Sequence, residues 1–483
     1  MADEKNISYQ PTDGLCYEPS EPKYWDPVAL GKELTRVFEV CHGCRMCFKY
    51  CDSFPKLFSF VDKRHDGNVA KVTERETAEV MEACFQCKLC EVQCPYTPRE
   101  QHAFQLDFPR LVHRYRAIRA KREGVPLRDK VLGNPDAAGA AARASLGTVN
   151  VMNRARAHRW FLEQVLGVHR DKQLPEFASK TFESWARKEG LVAGEPGGEV
   201  VLFQTCYVQH NEPQIGKDAV EVLKHNKVDV RCAAGLKCCG MPAWESGDLP
   251  ELQKRAKANL DILMPFVDRG AKVVAINPTC SMMLRQEYPG LVADQDRARA
   301  HQLAEAVRDP GEYLWSIRQE DRFNSDFKTK PEAVAYHAPC HLRAQGAGFR
   351  GRDLIRKLGV GKMHAVVECC GHDGTFAMKV EGFEASQRVG KKAFDEMNAA
   401  EAATWVTDCP LAAIQFEQHA GKKPLHPMSL LARSYRGEPF ATEDAHAQGE
   451  TTGDPGLSEL QRREGRDPDP DHGGQAAAPD RRG

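Results

Sequence analysis

Long apolar runs are missing from this 483-residue chain: none approaches the roughly 20 residues a membrane-crossing helix needs, and strand-like runs such as Val273 to Ile276 are only a few residues long. The sequence therefore predicts no bilayer-spanning helix. An excess of either charge is missing too, because 67 Lys and Arg face 68 Asp and Glu for a net charge of -1. No global field recruits nucleic acid or an anionic membrane, so no nucleic-acid partner is expected and any lipid contact has to be local. The opening Met1-Ala-Asp-Glu-Lys-Asn lacks the basic start and apolar core of a secretory signal, which gives a cytoplasmic location as the expectation. A length of 483 residues is enough for about three domains. The 41% apolar and 28% charged residues fit folded parts beside a polar tail.

Cysteine, by contrast, is plentiful. Eighteen of them in a chain with no export signal point to metal ligation and not to disulfides, since the cytosol keeps thiols reduced. Eight fall in two copies of one motif, Cys41-His-Gly-Cys44-Arg-Met-Cys47-Phe-Lys-Tyr-Cys51 and Cys84-Phe-Gln-Cys87-Lys-Leu-Cys90-Glu-Val-Gln-Cys94-Pro95. Three closely spaced thiolates can wrap three corners of an iron-sulfur cubane, while the fourth points to another cluster. The spacing thus predicts one [4Fe-4S] cluster on Cys41, Cys44, Cys47 and Cys94 and a second on Cys84, Cys87, Cys90 and Cys51. Structural zinc, which prefers two separated pairs, fits less well. Cys51 departs from the pattern in being followed by Asp52, its proline arriving only at Pro55.

Asp26-Pro27 reads as a helix start, and the stripe Val28, Leu30, Leu34, Val37 and Phe38 leads to Cys41. Thr73-Glu-Arg-Glu76 reads as a capping box opening a helix that leads to Cys84. With 32 residues between Cys51 and Cys84, a helical ferredoxin-like domain is expected and not the small hairpin kind.

The other cysteines also repeat. Cys206, Cys238-Cys239-Gly240 and Cys280 each come soon after a strand-like run, and so do Cys340, Cys369-Cys370-Gly371 and Cys409. The runs are Val200 to Phe203, Val228 to Val230, Val273 to Ile276, Ala333 to Tyr336, Ala365 to Val367 and Thr404 to Val406. The order strand, Cys, helix, strand, Cys-Cys-Gly, helix, strand, Cys occurs twice, which implies an internal duplication and parallel sheets. Cysteines at the carboxyl ends of parallel strands can converge where such folds bind ligands. One or two further iron-sulfur clusters on these eight cysteines are expected, and the glycine after each pair would let backbone come close to the bound group. Cys16 and Cys232 stand outside both schemes and read as core or surface residues.

This combination resembles the family of iron-sulfur C subunits of anaerobic glycerol-3-phosphate dehydrogenase and, more distantly, the B and C subunits of heterodisulfide reductase, over residues 35–436. The likeness rests on Pro278-Thr-Cys280-Ser-Met-Met-Leu284, His337-Ala-Pro-Cys340-His341-Leu342, Cys369-Cys370-Gly371-His-Asp-Gly374 and Asp408-Cys409-Pro-Leu-Ala412, beside the two-cluster motif. The resemblance implies an electron-transfer subunit that takes electrons from a flavoprotein partner and passes them to an acceptor such as quinone, from the cytoplasmic face of the inner membrane. The alternative it offers is a disulfide reductase acting at the Cys-Cys-Gly (CCG) clusters. In that branch each repeat ends in C-x-x-C, whereas this chain has Met283 and Ala412 at those fifth-ligand positions.

The expected fold class is multidomain α and α/β. It comprises an N-terminal segment (1–38), the helical two-cluster ferredoxin-like domain (39–124), a helical connector (125–195), the first CCG repeat (196–325), the second (326–436) and a disordered tail (437–483). Residues 101–124 read as a helix in spite of Pro109, with Arg110, Arg114, Arg116, Arg119, Lys121 and Arg122 forming a solvated or docking face. In the connector, Trp160 and Phe161 beside Arg154, Arg156 and Arg159 suit a lipid headgroup boundary; the competing reading is a core helix packing Val151, Ala155, Leu162 and Leu166. Gly346-Ala-Gly348-Phe-Arg-Gly351 matches a dinucleotide fingerprint but stands too far past its strand to serve as one. His210, His337, His341 and His372 are expected to hydrogen-bond around the clusters.

Overall fold

The computed structural model of the protein describes residues 17–192 and 194–440. Cys16, the opening residues and the part of the expected tail beyond residue 440 lie outside them.

The N-terminal helices bring the first cysteines into position. Helix Pro27–Cys44 is capped by the Asp26 carboxylate, which accepts from the backbone of Val28. It buries Leu30, Leu34, Val37 and Phe38, carries Cys41 and Cys44 in its last turn, and stops at Arg45 with φ of 57°. The capping box at Thr73 and Glu76 forms as its residues dictate and opens helix Glu74–Glu82, which leads to Cys84. Between Cys84 and Cys90 the chain takes left-handed backbone at Gln86 and Lys88, costly for side chains of that size and of the kind stored at binding sites.

The helix expected over 101–124 begins only at Phe108 and runs to Glu123. Pro109 decides this: proline is tolerated in the first turn of a helix and not within it, and the Asp107 carboxylate caps the start by accepting from Arg110 N at 2.9 Å. Two of its arginines form neither a solvated nor a docking face. Arg114 is buried and donates to the carbonyls of Lys23 and Tyr24, and Arg116 donates to those of Met81, Cys84 and Glu245. Arg116 thereby ties the second cysteine motif to the helix Met241–Ser246 of the first repeat.

Two parallel sheets follow. The first contains β1 (Val200–Phe203), β2 (Val230–Cys232), β3 (Lys272–Ala275) and β4 (Val307–Arg308) in the order β2-β1-β3-β4. The second contains β5 (Ala333–His337), β6 (Lys362–Val366) and β7 (Thr404–Thr407) in the order β6-β5-β7. Each repeat therefore sets its first strand between its second and third, as an internal duplication requires. The two-residue β4 extends the first sheet beyond that shared plan, and nothing in its sequence marked it.

Alternation along the strands explains how the sheets are held. Val200, Leu202 and Val274 of the first sheet and Val334, Tyr336 and Val406 of the second share one apolar core with helices Pro213–His225 and Pro427–Arg436. Val201, Phe203, Val273 and Ala275 face a separate core that contains Trp244 and helix Leu249–Val267. Both faces of these strands are buried, as a parallel sheet demands.

The cysteine-rich N-terminal part joins the repeats through polar as well as apolar contacts. Phe85 packs on Phe376 with ring centroids 4.3 Å apart. Lys88, 2% exposed, donates to the carboxylate of Glu287, also 2% exposed, on the π-helical turn Met283–Glu287 that follows Cys280. Removing one partner of a buried pair strands the other charge, at a cost of about 3–5 kcal/mol. Glu287→Ala leaves Lys88 only the longer contact to Glu91 at 3.6 Å and is expected to lower stability by up to about that amount, and Lys88→Met with Glu287→Met together by much less; thermal unfolding of the two proteins checks it.

Candidate metal centre

The two cysteine motifs cross over in space. Cys41 has the thiols of Cys44, Cys47 and Cys94 as neighbours, and those four thiols line a small cavity of about 30 Å³ walled by Phe54, Phe58 and Leu106. Cys51 neighbours Cys84 and Cys87, and Cys90 neighbours Cys84, Cys87 and Cys51. The sets touch where the Cys47 thiol approaches the carbonyl of Cys90 at 3.8 Å.

The repeats bring their cysteines to a common place. Cys206, Cys238, Cys239, Cys280, Cys340, Cys369, Cys370 and Cys409, together with Cys87, line one cavity of about 340 Å³. In the first repeat, the thiols of Cys206 and Cys238, of Cys238 and Cys239, and of Cys239 and Cys280 lie within hydrogen-bonding reach. In the second, Cys340 reaches Cys369, while Cys369 and Cys409 neighbour Cys370. Cys409 and Cys280 are neighbours from opposite repeats and line the same cavity. Cys340 also reaches the thiol of Cys87, so the second cysteine motif adjoins the second repeat directly.

The glycines after the paired cysteines have a reason other than room for a ligand. Gly371 has φ of 71°, and a Cβ there would stand 1.9 Å from the carbonyl oxygen of Ser386 on helix Val380–Ala399. Gly240 has φ of 89° and would meet the Leu252 side chain on helix Leu249–Val267. Each glycine lets the strand-to-helix turn press against the next helix, which fixes the cysteine pair just before it.

Burial pushes the thiols of Cys41, Cys51 and Cys90 well up and those of Cys47 and Cys84 up to about 12. The Cys87 thiol is held down by the hydrogen bond from Cys340. Without metal most of these sulfurs keep their protons, and metal binding has to displace them. Among the described residues no three His, Cys, Asp or Glu side chains are gathered tightly enough for a lone metal ion. Sets of four soft thiol donors in apolar surroundings fit a multinuclear iron-sulfur group, in which each iron takes one thiolate.

The histidines mostly serve as hydrogen-bonding supports. His341 joins Thr279 Oγ1 (2.9 Å) to the carbonyl of Gln86 (3.1 Å), linking both repeats to the second motif. His337 bonds Thr407 Oγ1 (3.0 Å) and the carbonyl of Glu368 (3.1 Å), and His210 bonds Arg143 and Asp136. His372 lines the cavity with both ring nitrogens shielded and unpartnered. Cys232 lies in the core within β2, its thiol pushed up to about 12 by burial. Sequence reasoning missed Lys172, which is buried near Cys370 and belongs to a charged stretch, His169-Arg-Asp-Lys172, that reads as surface.

Fold and thiol geometry together define an iron-sulfur subunit of an oxidoreductase, and the chain belongs to the family of such subunits built on the cysteine-rich CCG domain. A 4Fe-4S dicluster domain matches residues 40–97, and the cysteine-rich CCG domain matches twice, at 200–285 and 334–417. Among curated proteins the chain is 29% identical over 310 residues to the C subunit of anaerobic glycerol-3-phosphate dehydrogenase of Escherichia coli (strain K12), covering 64% of this chain and 77% of that one. It is 30% identical over 188 residues to lactate utilization protein A of Bacillus pumilus (strain SAFR-032), 38% of this chain and 76% of the relative. Over 246 residues it is 25% identical to the B subunit of the fumarate reductase (CoM/CoB) of Methanothermobacter marburgensis, 50% of this chain and 46% of the relative. No helix among the described residues is long and apolar enough to cross a membrane.

Two cubanes account for about eight irons per chain. Anaerobically isolated protein is expected to hold clearly more iron and acid-labile sulfide than that, and Cys239→Ser or Cys370→Ser to lower both; chemical analysis with EPR spectra of oxidised and reduced samples is the check.

Proposed function

We propose that this chain is an electron-relaying subunit that accepts electrons from a flavoprotein dehydrogenase and passes them to a quinone-class acceptor. One [4Fe-4S] cluster is assigned to Cys41, Cys44, Cys47 and Cys94, a second to Cys84, Cys87, Cys90 and Cys51, and one or two further clusters to the CCG cysteines. When bound, such clusters take up and release single electrons. The observation that carries the reading is the meeting of Cys87 and Cys340, which leaves no gap between the dicluster motif and the CCG cavity.

The protein supplies insulation and two open ends. Cys41, Cys44, Cys47 and Cys94 are only half-buried, and Met46, Phe48 and Val92 beside them are exposed, an apolar skin suited to a redox partner. The other end is the CCG cavity. Its wall includes Val131 and Asn153 of the connector, and Val131 is itself 46% exposed.

Around that wall the connector turns apolar side chains outward. Helix Arg156–Leu166 exposes Ala157, Trp160, Phe161 and Val165, which share one face at helical spacing, and helix Thr148–Arg154 exposes Val151 and Met152. The opposite side of the first helix is tied inward by Arg159, which donates to the carbonyls of His169, Arg170 and Lys172. Val151 and Ala155 are exposed, so the core-helix reading of this segment fails at those positions. An apolar face beside the opening of a thiol-lined cavity suits a lipophilic acceptor reached from a lipid surface.

At ~25 cal/mol per Å², burying about 100 Å² more of each ring contributes roughly 2.5 kcal/mol per ring. Trp160→Ser with Phe161→Ser is therefore expected to weaken binding to anionic lipid vesicles by well over tenfold and to slow reduction of a long-chain quinone in them. Reduction of a water-soluble dye taken up at the first cluster should be unchanged. Vesicle flotation and stopped-flow absorbance measure both, and wild-type protein that neither floats with vesicles nor reduces quinone rejects the acceptor assignment.

A further inference from the structure

Lys172 lies between helices Arg156–Leu166 and Phe182–Lys188 and is 3% exposed. Its Nζ donates to the amide oxygen Oε1 of Gln415 on helix Pro410–Ala420, which directly follows Cys409. Gln415 in turn donates from Nε2 to Ser386 Oγ at 2.9 Å. Among the described residues the thiol of Cys370 is the only acidic group acting on this ammonium, and the imidazoles of His372 and His419, held uncharged by burial, are its other titratable neighbours.

A buried ammonium without a counter-ion is among the costliest features a fold can hold. Among the described residues the other buried lysine, Lys88, ends on the carboxylate of Glu287, while the buried guanidinium of Arg116 spreads its charge over three carbonyls. Beside Lys172 an amide oxygen supplies a dipole and no charge. The missing anion matches the chemistry of the neighbouring cysteines, because four thiolates outweigh the positive charge of an iron-sulfur core and leave the whole group anionic.

We propose that Lys172 is the counter-charge of the iron-sulfur centre held by Cys340, Cys369, Cys370 and Cys409, and that it raises the reduction potential of that centre. The inference rests on the reading that the second repeat binds a cluster. Lys172 acts as a positioning residue through its field: a fixed positive charge stabilises the form carrying one more electron. It comes from the connector and from neither repeat, so a segment outside both duplicated units sets the energy of one of them.

EPR-monitored redox titration of the anaerobically isolated full chain tests this, the second-repeat signal being the one lost in Cys370→Ser and kept in Cys239→Ser. In Lys172→Met its reduction equilibrium is expected to fall about tenfold, which is 59 mV for a one-electron couple, with the other centres unmoved and Lys172→Arg restoring it. Lys172→Gln removes the charge and keeps a polar group near Gln415. A lowered midpoint in that variant supports the proposal, as does loss of second-repeat iron in the Met and Gln variants with retention in the Arg variant. An unchanged midpoint in Lys172→Met or Lys172→Gln overturns it. Wild-type protein with about eight irons and no Cys370-dependent signal overturns the cluster reading of the repeat, and the role of Lys172 falls with it.

Discussion

Everything in this structure depends on where parallel strands end. In a parallel sheet all carboxyl ends lie along one edge, and the loops leaving that edge are the ones free to carry ligands. Here β1, β3, β5 and β7 are followed within a few residues by Cys206, Cys280, Cys340 and Cys409, and β2 and β6 by the two Cys-Cys-Gly turns. The duplicated strand order turns that edge of both sheets toward one cavity, so cysteines up to about 200 positions apart in sequence line a single volume. The inner faces of the sheets share a core, which keeps the edges from drifting apart.

Electrostatics accounts for the tight joint between the dicluster motif and the repeats. Thiols buried against one another are costly to ionise, and the loop that presents Cys87 uses unfavourable left-handed backbone at Gln86 and Lys88. That loop is secured by polar contacts buried along with it. Lys88 closes on Glu287, Arg116 gathers the carbonyls of Met81, Cys84 and Glu245, and His341 caps the carbonyl of Gln86. Each such group is satisfied by a partner from another part of the chain, so the arrangement forms only when all parts dock together.

Much of this was legible in the sequence because it obeys local rules. The capping box at Thr73 formed, and the six strand-like runs coincide with β1, β2, β3, β5, β6 and β7 to within two or three residues. Alternation could not reveal β4, whose two residues are too few to show a period. The arginines of helix Phe108–Glu123 look alike in sequence, yet Arg114 and Arg116 are buried among carbonyls while Arg119 pairs with Glu82 at the surface. Whether an arginine is solvated depends on backbone groups brought in by distant segments, which composition cannot report. Lys172 escaped notice for the same reason, as did the role of Gly371, which is set by the carbonyl of Ser386 on the following helix.

The pattern of burial also gives the assembly a direction. Cys41, Cys44, Cys47 and Cys94 are all half-buried, in the second set Cys51, Cys84 and Cys87 are buried and only Cys90 is half-buried, and six of the eight CCG cysteines are buried around a cavity that opens beside exposed connector helices. Redox groups deep in a protein are shielded from stray oxidants and from water, while groups near the surface can exchange electrons with a partner. A chain of thiols that is accessible at one end, enclosed in the middle and open again at an apolar cavity has the form of a conduit. A store of metal would need neither the enclosed middle nor the second opening. The buried cation at Lys172 stands toward the cavity end, near Cys370, where its positive field stabilises negative charge on the neighbouring sulfurs.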